Sequence, residues 1–200
     1  MKKIISMLLV LVMALGLLAA CGEITNKTPE DPKVEVPATA LEILEKTYGK
    51  YTEEEKAFPV AGGAGDNMNW EGPGKVDMTA NGTDLSFIVY VPEAEVANLT
   101  DAATMQHAMN ANTFTAAALR VKEGTDAKAF AKTMKDAILG TQWMCGFPEK
   151  LVIATVGDYV VMCFGKAGVE DPSFNLVADF VTALTTAYPT ATVAVEEAIG

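Results

Sequence analysis

The run GTQWMCGFPE, Gly140 to Glu149, holds the grouping in this 200-residue chain that most resembles a reactive site: Trp143, Cys145, Gly146 and Pro148 within six positions. A thiol redox centre of the thioredoxin type needs a second cysteine two residues on, so that a resolving thiol can attack the mixed disulfide. Here Phe147 and Pro148 follow Cys145-Gly146, and the tryptophan stands one residue too far from the thiol. A lone cysteine without a partner base is a weak nucleophile. The residue types favour architecture instead, with Gly140 ending a helix and Trp143 folding back over a core. Gly146 and Pro148 would then turn the chain into a strand. Cys145 and Cys163, 18 positions apart, could form a disulfide outside the cytoplasm, worth roughly 3 kcal/mol. The apolar run around Cys163 suits a free, packed thiol equally well.

Other chemistry-bearing residues are sparse. Asn67, Asn69, Glu71 and Gly72 echo the start of a calcium loop. Its closing position is Met78, and too few charges remain to hold the ion. Trp70 in that Gly-rich stretch is a candidate contact residue, since a large aromatic on a polar loop often marks binding. Trp143 is the second such candidate. His107 is the single histidine and lacks the Cys or carboxylate spacing of a metal site. Ser86 and Ser173 lie outside any G-x-S-x-G elbow, and AGGAG does not lead from a strand into a helix as a nucleotide loop must. No catalytic residue, metal ligand or cofactor is assigned.

The N-terminus carries the clearest motif. MKK precedes an apolar run, Ile4 to Leu18, too short for the roughly 20 residues of a spanning helix. That pattern reads as a secretion signal. The run closes on Leu18-Ala19-Ala20-Cys21, which resembles the lipobox of bacterial lipoproteins. The resemblance implies lipidation of Cys21 and cleavage just before it. Acyl chains hold a protein on a membrane at about 0.8 kcal/mol per buried methylene. Residues Gly22 to Pro37 are rich in proline and charge and bury too little to fold. Extended, this tether reaches at most ~50 Å.

The expected organisation is therefore a signal over 1–20, a lipidated Cys21 with tether over 21–37, one domain over 38–189 and a frayed or weakly docked tail over 190–200. The chain has 15 basic and 26 acidic residues; without Lys2 and Lys3 the mature form has 13 against 26, a net charge of −13. Such a surface excludes phosphate-neutralising nucleic-acid binding and gives no attraction to anionic lipid.

Within the domain, Thr39 and Glu42 form a possible capping box for a helix to about Tyr51, with Leu41, Leu44, Tyr48 and Tyr51 on one face. Val76 to Val91 reads as a hairpin around Asn81-Gly82. Glu93 to Asn110 reads as one or two short helices, and Thr113 to Val121 as a central strand. Thr125 and Gly140 bracket a helix that buries Ala127, Phe130, Ala131, Met134 and Ile138, while Lys128, Lys132 and Lys135 point elsewhere. LVIATV and YVVMCF form a hairpin on Gly157-Asp158. Asp171-Pro172 opens a last helix with Phe174, Val177, Val181, Leu184 and Tyr188 as its stripe. The order predicts an α+β fold, a mostly antiparallel sheet of about four to five strands with helices packed on it.

The segments MNANTFTAAALRVKEGTDAKAFAKTMKDAI, WMCGFPEK and GDYVVMCFG resemble a family of small lipoproteins from clostridial gut bacteria, known as a domain of unknown function. The likeness covers roughly Ala102 to Gly168. Thr115 stands near the place where that family often has an acidic residue opening its first strand. The resemblance implies a lipoprotein fold and transfers no catalytic residues. The expectation is a lipid-anchored binding or interaction module on the outer face of a bacterial membrane, with a small molecule, peptide or envelope protein as partner. The alternatives are a thiol-dependent or other envelope enzyme, and a structural accessory subunit.

Overall fold

The computed structural model describes residues 37–171 and 173–200. The expectations for the signal, Cys21 and the tether to Val36 lie outside the described residues. A seven-stranded sheet, antiparallel at each of its pairings, has helices on both faces. In chain order the elements are α1 (Ala40–Tyr48), β1 (Val60–Ala61), β2 (Gly74–Val76), α2 (Leu85–Ile88), α3 (Glu93–Val96), β3 (Leu99–His107), β4 (Phe114–Val121), α4 (Ala127–Leu139), β5 (Lys150–Val156), β6 (Tyr159–Gly165), α5 (Leu176–Ala187) and β7 (Thr192–Ala198). The strands lie in the order β1-β3-β4-β6-β5-β7, with β2 beside β1 along the same edge of β3.

Period-two alternation sends the central strands' side chains to two separate cores. Phe114, Ala116 and Ala118 of β4, with Tyr159, Val161 and Cys163 of β6, face α1 and α5. Ala117, Leu119 and Val121, with Val160, Met162 and Phe164, face α4 and the segment from Val76 to Leu99. Because both faces are covered, β4 and β6 read as continuous apolar runs rather than as alternating ones.

α1 starts where Thr39 Oγ1 accepts a hydrogen bond from the Glu42 amide at 3.1 Å. Its buried positions are Ala40, Ile43, Leu44 and Thr47; Leu41 and Tyr48 are half-buried, and Tyr51 is buried just beyond the helix. α4 is capped by Asp126, whose carboxylate accepts from the amides of Lys128 and Ala129, and not by Thr125. The β5–β6 hairpin turns on Gly157-Asp158 as expected.

Four segments differ from the expectation. Val76 to Val91 is no hairpin. Asp77 Oδ1 accepts from the amides of Thr79 and Ala80, and α2 then buries Leu85 while Phe87 stays 79% exposed. A tight hairpin turn on Asn81-Gly82 needs positive φ at both residues, and Asn81 has φ −126°. The Leu85-to-Val91 alternation was compatible with both periods, and tertiary packing chose the helical one for its first turn. Leu99 to His107 is a strand although Ala102, Ala103, Met105 and Gln106 are helix-favouring residues. The small side chains of Ala102 and Ala103 are completely buried beneath the covering layers. α5 begins at Leu176; ahead of it the Asp171 carboxylate accepts from the Ser173 amide and hydroxyl, and Pro172, expected to open the helix, lies outside the described residues. Its stripe is accordingly Leu176, Val177, Phe180, Ala183 and Leu184, with Phe174 43% exposed and Val181 half-buried. Finally, residues 192–198 are not frayed: β7 pairs with β5 from Lys150↔Ala198 to Thr155↔Thr192.

Candidate functional site

β3 ends, β4 begins, β5 begins and β6 ends at one end of the sheet, so three connections meet there: residues 108–113, 140–149 and 166–175. Polar side chains stitch them together. Asn112 Nδ2 donates to the carbonyls of Cys145 and Gly146 at 3.0 and 3.2 Å. Gly146 has φ +88°, and a Cβ there would stand 2.7 Å from the side-chain Nδ2 of Asn110, so glycine serves both the turn and the contact.

Glu149 binds the third connection. Its carboxylate accepts from the amides of Ala167, Val169 and Glu170 and from Lys166 Nζ at 3.1 Å, with the Glu149 side chain only 10% exposed. Burial alone would push this carboxyl up. The amides of Ala167 and Val169, the Lys166 ammonium and the Glu170 amide outweigh that and hold it at about 2.

The outer surface of this frame is apolar. Met109 is 81% exposed, Met144 86%, Phe147 62% and Val169 77%. Cys145 lies exposed between Met144 and Phe147. Behind it Trp143 is half-buried, its ring 5.2 Å from Tyr90 and 5.3 Å from Phe164. The indole Nε1 is buried with no hydrogen-bond partner among the described residues. Tyr90 takes φ +60°, a strained conformation for a residue with a Cβ, and its ring contacts with Trp143 and Phe164 hold it there.

The other sequence candidates fall elsewhere or into structural roles. Trp70 is 70% exposed on the Gly62–Pro73 loop at the β1/β2 edge of the sheet. That loop is pinned at its base by the Gly62↔Asn69 bridge. Asn69 is committed within it, donating to the Pro73 carbonyl and accepting from the Glu71 amide, which leaves no calcium loop. His107 Nδ1 accepts from the amides of Met109 and Asn110, its ring stacks on Phe58, and burial lowers its pKa, so it is a neutral loop brace. Among the described residues, no three His, Cys, Asp or Glu side chains converge to hold a metal ion.

Cys145 and Cys163 are both free thiols, and the disulfide is not formed. Cys163 points from a central strand into the core beneath α1 and α5, whereas Cys145 rides on an exposed loop. No hydrogen bond links the exposed Cys145 thiol to a base among the described residues, and what this loop end offers is contact surface. Sequence reasoning located Trp143 and Cys145 but missed Met109, Tyr90 and Glu149. Met109 reaches the loop only through the long-range pairing of β3, which was read as helix, and Tyr90 through its ring contacts with Trp143 and Phe164, whereas Glu149 closes the same run. The chain matches no protein-family model, no curated protein and no solved structure.

Proposed function

We propose that the chain is a lipid-anchored extracytoplasmic protein of a bacterial envelope and works there as a binding or interaction module. The lipobox-like Leu18 to Cys21 and the charged tether behind it support the anchor. One observation carries the interaction role: three stitched loops hold Met109, Met144 and Phe147 exposed on a frame braced by Glu149 and Asn112. Exposed large apolar groups on a preorganised frame lose little entropy on docking, which favours recognition.

Intact-mass analysis of the membrane fraction tests the anchor: wild type carries diacylglyceryl mass on Cys21, and Cys21→Ser leaves the membrane. Unlipidated wild type in the soluble fraction would refute it. A photo-cross-linker on Cys145 tests the surface. Adducts in intact cells should disappear when Phe147→Asp or Met144→Asp is combined with it. Adducts unchanged by both substitutions would place the partner elsewhere.

The thiol-enzyme reading rests on the exposure of Cys145. It requires alkylation of the native thiol much faster than that of free cysteine at pH 7, together with a Cys145-dependent turnover.

A further inference from the structure

Where residues 166–175 run into α5, a cavity opens beside the core that α1 and α5 cover. It has a volume of about 370 Å³. Glu54, Glu55 and Phe58 line it from the connection between α1 and β1, and Phe174, Leu176 and Asp179 from the start of α5. The apolar part is fixed in place. Leu176 is buried, and the Phe58 ring stacks on His107 at 5.6 Å and meets Phe114 edge-on at 5.8 Å. Phe174, 43% exposed, adds a second ring.

The charge in this cavity has one sign. Asp179 and Glu55 are half-buried and Glu54 is exposed, and none of the three has an ion partner among the described residues. Lys56, next in sequence, is taken by Glu53 at 3.3 Å. Glu55 is held by a local turn, in which Oε2 accepts from the Thr52 amide at 2.6 Å. Burial, and then the Glu55 carboxylate, push Asp179 up, with no basic group acting against them. The same field reaches Tyr51, which is 4% exposed and whose buried hydroxyl has no hydrogen-bond partner among the described residues. Burial raises that phenol first, and Cys163, Asp179 and Glu55 push it the same way. Half-buried carboxylates without a counter-charge carry a desolvation cost that a bound cation would offset. A metal ion does not suit the place. No three acidic side chains converge on one point among the described residues, and the two rings and Leu176 offer no oxygen ligand. An organic cation does suit it, because an ammonium group is attracted both to carboxylates and to aromatic faces.

We infer that this cavity binds a small organic ammonium ion, its charge against Asp179 and Glu55 and its apolar body against Phe58, Phe174 and Leu176. The cavity shares no lining residue with the surface of Met109, Met144 and Phe147, so either can fail without the other.

The test is titration of ¹⁵N-labelled Cys21→Ser protein, followed by amide shifts in about 0.15 M salt, which screens attraction to the overall negative charge. The probe is 2-phenylethylammonium, and 2-phenylethanol is its neutral match. The cation should shift the amides of residues 54–58 and 173–179 saturably, and phenylethanol should bind at least tenfold more weakly. Asp179→Asn with Glu55→Gln should weaken the cation at least tenfold, and Phe174→Ala at least threefold, with amide shifts away from the cavity unchanged. Absent or unsaturable shifts overturn the proposal. Equal binding of phenylethanol does so too, since the cavity would then be a purely apolar site, and so does unchanged affinity in the double variant. Displacement of the probe by an equal concentration of calcium would replace the proposal with a metal site. Tenfold tighter binding of Nα-acetyl-lysine methylamide would replace it with a lysine side chain of a partner protein.

Discussion

Cys163 sits in the middle of β6, 1% exposed, and burial pushes its thiol well above the ordinary range. Cys145 is exposed. An alkylating reagent at neutral pH is therefore expected to modify one thiol in native Cys21→Ser protein and a second only after unfolding, as read by intact mass. Two rapid native adducts would mean that β6 opens or that the core is not closed. Glu149 gives a sharper test at the same scale. Its carboxyl is depressed in the folded chain relative to the ordinary 4.5 of a free glutamate. A depressed acid stabilises above its unfolded pKa and loses that contribution as pH falls, here between about 4.5 and about 2. Glu149→Gln keeps the size but loses the charge that three amides and Lys166 share. It should cost about 2 kcal/mol at pH 7 and flatten the acid limb of stability, measured by urea unfolding across pH. A variant with the wild-type acid limb would show that the 166–170 connection is held by other contacts.

Gly62 and Gly74 cross at the β1/β2 edge with no room between them. A Cβ on Gly62 would lie 2.1 Å from the Thr104 carbonyl and 2.5 Å from the Gly74 amide; one on Gly74 would lie 2.4 Å from the Gly62 backbone. Both obstacles are main chain, so Gly62→Ala or Gly74→Ala should destabilise by about 3 kcal/mol in thermal or urea unfolding and loosen the Trp70 loop. At the opposite edge, truncation after Pro189 should cost cooperative stability, because β7 covers β5 and Val195 packs on the α4 core. Wild-type stability without those residues would show that β7 contributes little. These two edges also mark how far local sequence reaches. The β5–β6 hairpin and α4 carry their own turn and cap residues and were legible. β3 was not, since alanine, methionine and glutamine favour helix until burial between two layers overrides them. β7 was missed because a TVAVEEA run is a strand only when β5 offers it an edge. The loop site was legible only in part: Trp143 and Cys145 stand in one run, but Met109 and Tyr90 reach it through pairings of distant segments.

For the whole molecule, net charge dominates behaviour in solution. With 15 basic and 26 acidic residues, the chain should stay dispersed at low salt near neutral pH and self-associate as the medium approaches its acidic isoelectric point. Light scattering across pH checks this, and aggregation greatest at pH 7 would contradict it. The entry point of the folded chain has a mechanical consequence. Ala40 is fastened to Asp101 near the start of β3, while Met109, Met144 and Phe147 cap the far ends of the same strands. A pull applied between Ala40 and these loops would act along the strand direction. Hydrogen bonds between strands lie across that line of force. They resist in parallel, by shearing together rather than unzipping singly, so the sheet is oriented to bear tension between its two ends.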